Sequence, residues 1–186
     1  MNNDIFNQIL IQIENRSHLN ANDIPSLDLY IDQIMTLFDI NLADNKRYEN
    51  DKLLTKTMIN NYSKEGILKP IKGKKYSKDH ILQMLFIYSL KNTISIQEIK
   101  KVLQPYHEKT ENIEPIYNQF LKFNKELSHQ LTSEIKTFTS KNQFDLNDFD
   151  QMTTMLLLIC ALSNQFKAIA ETMLDTYYPE VKKKEK

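Results

Sequence analysis

Two glycines in 186 residues, Gly66 and Gly73, constrain this chain more than any other feature. Tight β-hairpins need positions of positive φ that glycine supplies at least cost. The glycine-rich loops that cradle phosphates are likewise missing. An all-α fold is what remains, with room for one short excursion near the two glycines. A single cysteine, Cys160, leaves no internal disulfide framework and no multi-cysteine metal cluster. The longest unbroken apolar run, Met155–Leu162, is well short of the ~20 residues that cross a bilayer. The opening MNNDIFNQILIQIENR is too polar for the apolar stretch of a secretory signal. The expectation is a soluble, cytoplasmic protein with no membrane partner.

Periodicity divides the chain into helices. Ile5, Ile9 and Ile13, with Phe6 and Leu10, predict an amphipathic helix over 4–14. Asn20–Pro25 breaks it, so 1–25 reads as an N-terminal helix and linker. Ser26 is then the expected N-cap of a helix over Leu27–Phe38, with Leu27, Tyr30, Ile31, Ile34 and Phe38 on one face. Asn41–Asp51 reads as a polar loop. A helix is expected over Leu53–Glu65, with Leu54, Met58, Ile59 and Tyr62 inward and Gly66 as its stop. Pro70 and Gly73 mark Ile67–Tyr76 as a two-stranded excursion or an exposed loop, the one place where β structure is expected. Ser77 caps a helix over Lys78–Asn92, with Ile81, Leu82, Leu85 and Tyr88 inward. Ser95 and Glu98 form the S-x-x-E capping box of another over Ile96–Leu103.

Pro105 and the polar run to Asn112 read as an interdomain joint, which separates a domain over 26–105 from a C-terminal region over 106–186. Two long helices follow it. Ile113, Tyr117, Phe120, Asn124, Leu127, Leu131 and Phe138 keep near-heptad spacing in the first. Phe149, Met152, Leu156, Ile159, Ser163, Phe166, Ala170, Met173 and Tyr177 step by three and four in the second. Such a 3.5-residue period holds one seam toward a partner helix, and the short connection, Ser140–Asn147, suits an antiparallel pair. A two-helix region has little to bury two stripes against. Stripes of this kind also pack within one chain, but a homodimer is the expectation here, with Phe120, Asn124, Leu127, Leu156, Ile159, Phe166 and Met173 at its interface and Asn124 either fixing register or at the rim. An apolar pocket between these helices would suit an effector, but no residue identifies one. VKKKEK at the end reads as a solubilising tail.

The charge balance of 24 basic against 24 acidic residues hides a segregated distribution. Residues 1–44 hold seven acidic residues and one basic, whereas residues 45–80 hold ten basic and four acidic. Charges separated by more than a Debye length, ~8–10 Å at physiological salt, are largely screened, so a polyanion responds to the local patch. Helix, helix, basic glycine turn, helix, helix is also the layout of a winged helix-turn-helix. A recognition helix needs one buried face and one polar face that reaches base edges in the major groove. In helix 53–65, Asn60 and Asn61 can bridge adenine N6 and N7. Thr57 suits a base or a phosphate, and Lys56 and Lys64 suit phosphates. Lys69, Lys72, Lys74 and Lys75 surround Gly73 as a backbone-contacting wing, closed by Tyr76.

These residues resemble a known pattern. MINNYSKEGIL (58–68), KKYSKDHILQM (74–84) and SIQEIKKVL (95–103) look like the DNA-binding domain of MerR-type regulators. In that family the recognition helix ends in Tyr-x-x-x-Gly-Leu-Leu, here Tyr62, Gly66, Ile67 and Leu68. A basic residue and an aromatic close the wing, here Lys75 and Tyr76, and a Ser-led helix carries Glu98, Ile99 and Lys100. The chain departs from it at Asn60, where arginine is usual, and in the longer Asn41–Asp51. Over roughly residues 23–105, including KRYENDKLLTKTMINNY, it is also similar to a bacterial family known as domain of unknown function 1836. The resemblance implies an all-α, MerR-like winged helix-turn-helix that binds duplex DNA as a transcriptional regulator.

The competing expectation is a protein-interaction adaptor that keeps the same scaffold, its lysines serving solubility. Catalysis finds no support. His18, His80, His107 and His129 are scattered without metal-ligand spacing, His80 reading as a surface or interdomain residue. Asp145, Asp148 and Asp150 bracket a helix start, where negative charge complements the helix dipole. Cys160, inside LLLICALS, reads as a buried, inert thiol. No cofactor or metal is expected.

Overall fold

The computed structural model describes residues 2–71, 73–108 and 113–178. Among these residues seven α-helices follow in order: α1 (Asn2–Glu14), α2 (Ile31–Leu42), α3 (Lys56–Lys64), α4 (Lys78–Leu90), α5 (Ile96–Glu108), α6 (Glu114–Lys141) and α7 (Phe149–Tyr177). Two short strands, β1 (Leu29–Tyr30) and β2 (Lys75–Tyr76), pair antiparallel, Leu29 opposite Tyr76 and Tyr30 opposite Lys75. The chain is thus mostly helical, as the scarcity of glycine requires.

It divides into two compact units that are not consecutive in sequence. One comprises the chain to Arg16 with Phe120–Ala168; the other comprises Ser17–Gln119 with the chain from Ile169. The segment 26–105 lies wholly within the second. That second unit is built around α4, in which His80 to Leu85 and Ile87 are all buried. A helix that is covered on nearly every side is a core element. Ile34, Phe38 and Leu42 of α2, Ile59 of α3, Ile67 and Leu68 of the following loop, and Ile99 and Leu103 of α5 complete this core. The Tyr117 hydroxyl donates to the Leu19 carbonyl at 2.8 Å, and burial raises its pKa.

In the first unit, α1, the C-terminal part of α6, the connection after it and the N-terminal part of α7 bury only Leu10, Leu146 and Met155 among the described apolar residues. Its polar link is Glu14, whose carboxylate meets His129 Nδ1 at 2.8 Å and accepts from Thr132 Oγ1 at 2.7 Å. Two apolar grooves run beside α7. One, of about 450 Å³, lies between Ile5, Phe6 and Ile9 of α1 and Met152, Leu156 and Ile159 of α7. The other, of about 420 Å³, is lined by Leu131, Ile135 and Phe138 of α6 and by Leu158 and Leu162 of α7. By length and composition α7 is also apolar enough to cross a membrane.

Several sequence expectations need correction. Ser26 does not cap α2: Leu29 and Tyr30 are drawn into the strand pair, the helix starts at Ile31, and the Tyr30 N–H donates to Gln33 Oε1 at 2.8 Å. Leu27 is 78% exposed and Tyr30 50%, so the inner face is instead Ile34, Phe38 and Leu42. Helix α3 starts three residues later than expected, capped by Thr55, whose Oγ1 accepts from the Met58 N–H at 3.1 Å. Among the described residues of Ile67–Tyr76 no local hairpin forms, and β2 is the one strand. Ile67 and Leu68 go into the core, and the lone strand β2 finds its partner ahead of α2. Helix α5 runs through Pro105 to Glu108; a missing N–H there forfeits one backbone bond in the last turns without stopping the helix. His80 is buried, and Cys160 is exposed. Residues 109–112 of the expected joint and residues 181–186 of the tail lie outside the described residues.

Candidate nucleic-acid interface

Helix α3 sorts its side chains cleanly. At about 100° per residue, Lys56, Thr57, Asn60, Asn61 and Lys64 fall within an arc of roughly 140°, and all five are exposed. Ile59 and Tyr62 project the other way and are buried. Burial raises the Tyr62 pKa. The helix ends through Gly66, at φ +64°. The Ile67 N–H bonds back to the Tyr62 carbonyl at 2.8 Å and the Gly66 N–H to the Ser63 carbonyl at 3.2 Å. This is the Schellman arrangement, which satisfies carbonyls that would otherwise be orphaned. Lys100 of α5 adds a cation at the same end, its ammonium donating to the Glu65 carbonyl. Lys91, at the end of α4, donates to the Leu53 carbonyl at 2.5 Å and so ties down the segment that enters α3; burial lowers its pKa. Lys91 does not stand out from its neighbours in sequence.

The lysines expected to form the wing separate into distinct roles. Lys74 and Lys75 are exposed, and the Lys75 ammonium stands 5.1 Å over the Tyr30 ring. Lys69 is not a free phosphate contact, because its ammonium pairs with Asp79 at 3.0 Å and its N–H donates to Gln83 Oε1 at 3.0 Å. Tyr76, at 6% exposure, cannot offer its ring to a duplex; it packs edge-on against His80, ring centres 5.9 Å apart. Lys72 lies outside the described residues. Lys56 ion-pairs with Asp32 at the first turn of α2, while Lys46 pairs with Asp39 at 3.3 Å and Lys78 with Glu114 at 2.9 Å. Of the ten cations counted over 45–80, four are thus balanced by carboxylates. Lys52, Lys64 and Lys74 are exposed with no ion-pair partner among the described residues. Arg47 stacks on exposed Tyr48 at 5.1 Å, a cation–π pair that the lysine count overlooked.

Behind this surface lies a buried polar cluster. The Ser77 N–H donates to His80 Nδ1 at 3.1 Å, closing a capping box at the start of α4. His80 Nε2, Gln83 Nε2 and His107 Nε2 are buried without hydrogen-bond partners. Burial is the main reason that the pKa values of His80 and His107 are lowered. The capping box of α5 is present as expected: Ser95 N–H donates to Glu98 Oε2 at 2.6 Å and Glu98 N–H to Ser95 Oγ at 3.3 Å.

Of the residues expected to pair two chains, Leu127, Leu156, Phe166 and Met173 are 51–63% exposed, and Phe120, Asn124 and Ile159 are half-buried. No curated protein and no solved structure matches the chain. Residues 19–120, more than half of the sequence, match the family described as a domain of unknown function (DUF1836), and the chain belongs to that family.

Proposed function

We propose that the protein is a DNA-binding transcriptional regulator of MerR-like type that acts as a homodimer. The observation that carries this reading is the exposed arc of α3. Two amides, a hydroxyl and two lysines share one face of a helix whose opposite face is anchored by Ile59 and Tyr62. Amide side chains can meet adenine through paired donor and acceptor contacts, and lysines meet phosphate. The strand–helix–helix–strand–helix–helix order of residues 29–108 supports the reading, because β2 holds Lys75, with Lys74 just before it, at the end of the segment that follows α3. In this reading α3 enters the major groove, and Lys64, Lys74 and Lys75 contact the backbone. The ion pairs of Lys56 and Lys69 remove two phosphate contacts that the bare count of lysines suggested.

Fluorescence anisotropy with a random duplex, repeated across salt concentrations, tests it. Each neutralised phosphate lowers log K by roughly 0.9 per tenfold rise in salt. The three lysines above set the expectation at a slope near 3 for each domain bound, and K64E/K74E/K75E is expected to abolish binding. Weak binding insensitive to salt would instead mark a protein-interaction adaptor.

A further inference from the structure

Helix α7 has an outward seam that is complementary to itself when reversed. Between Phe149 and Ala170 it carries only two charged residues, Asp150 and Lys167. Asp150, Thr153, Leu157, Cys160, Asn164 and Lys167 follow one another at steps of three and four. They occupy an arc of about 100°, line neither apolar groove, and are exposed apart from half-buried Thr153. Asp150 lies as far before the midpoint of the Met155–Leu162 run as Lys167 lies after it. Opposed head to tail, the seam therefore sets Asp150 against Lys167, Thr153 against Asn164 and Leu157 against Cys160, each pairing made twice.

We propose that a second copy of this chain docks antiparallel on this face of α7, in that register. Self-association of this kind is isologous, with each contact returned by its two-fold mate. Steps of three and four keep this seam on one side of α7 along its length, so that it can face a single partner helix. The pairing covers Leu157, 65% exposed, at its centre, and Leu156, 61% exposed, at its flank. A bilayer suits this helix less well. Ser163, Asn164 and Gln165 sit at the midpoint of Phe149–Tyr177, where a spanning helix would lie deepest and where polar side chains are most costly. The inference specifies how the copies of the proposed homodimer meet, and it does not depend on duplex binding.

Sedimentation of the full chain at micromolar concentration should give a dimer, and Leu157→Glu should give a folded monomer. A wild-type monomer overturns the proposal, as does flotation of the chain with vesicles of equal parts phosphatidylcholine and phosphatidylglycerol. Cysteine cross-linking reads the orientation independently of any effect on folding. With a C160A background, D150C mixed and exchanged with K167C should cross-link through a short bismaleimide, whereas each variant alone should not, its two thiols lying about 25 Å apart along the helix axis. Cross-linking of each variant with itself would indicate parallel packing and overturn the register. Asp150→Lys should weaken dimerisation roughly tenfold, across two such pairs, and D150K/K167D should restore it; an unchanged dimer in the single variant also overturns the register. Loss of salt-dependent duplex binding with the dimer intact would remove the DNA reading and leave this one standing.

Discussion

The two compact units obey different rules of stability. In the unit containing α2 to α5, one helix is buried on nearly all sides and a dozen large side chains are almost wholly covered. In the unit containing α1 and most of α6 and α7, only Leu10, Leu146 and Met155 are buried among the described apolar residues, and α7 leaves leucines on several sides in contact with solvent. A small set of helices with so thin a core has little to set against chain entropy. The lesson is that apolar content and apolar burial are separate quantities. The most apolar stretch of the chain, Met155–Leu162, lies in the less buried unit.

The largest test of that contrast is Leu82→Ala, at 0% exposure in α4. It should cost about 2–5 kcal/mol in urea unfolding, as cavity-forming substitutions in closed cores do. Leu157→Ala in monomeric protein should change stability by less than about 0.5 kcal/mol; equal losses would erase the distinction. Next is Gly66→Ala, expected to cost about 1 kcal/mol by the same measurement. Its added Cβ would find only Lys100 Nζ, at 3.7 Å, so the cost comes from φ +64° and not from crowding.

Smaller effects distinguish the units by pH. His80 is held neutral by burial, with its folded pKa below the unfolded value. The unfolded chain therefore binds the proton more readily, and stability present above the ordinary histidine pKa falls as pH drops through it toward the folded value. His80→Gln keeps an acceptor for the Ser77 N–H at the capping-box position and should flatten that part of the profile, read by thermal melts. The pKa of Glu14 is lowered from its ordinary value, chiefly by its hydrogen bond to His129. Its contribution is present above the ordinary carboxylate pKa and is lost as pH falls through the lowered folded value. Glu14→Gln should remove only that acid limb, and only from the first unit; a change near neutral pH would contradict the assignment.

What could be read in sequence was local. The cap at Ser77, the capping box at Ser95, the stop at Gly66, the period of α1 and the buried-and-exposed division of α3 each rest on interactions spanning three or four residues, so the order of residue types suffices to reveal them. Tertiary structure decided the rest. Tyr30 became an exposed strand residue because its partner, Lys75, arrives from beyond α3. Tyr76 and His80 became core because α4 is enclosed on nearly all sides. Lys56, Lys69 and Lys78 lost their free charge to Asp32, Asp79 and Glu114, carboxylates brought near by the fold. A charge count records how many cations a segment has; only the fold determines which of them are neutralised, because electrostatic pairing depends on distance in space and not along the chain.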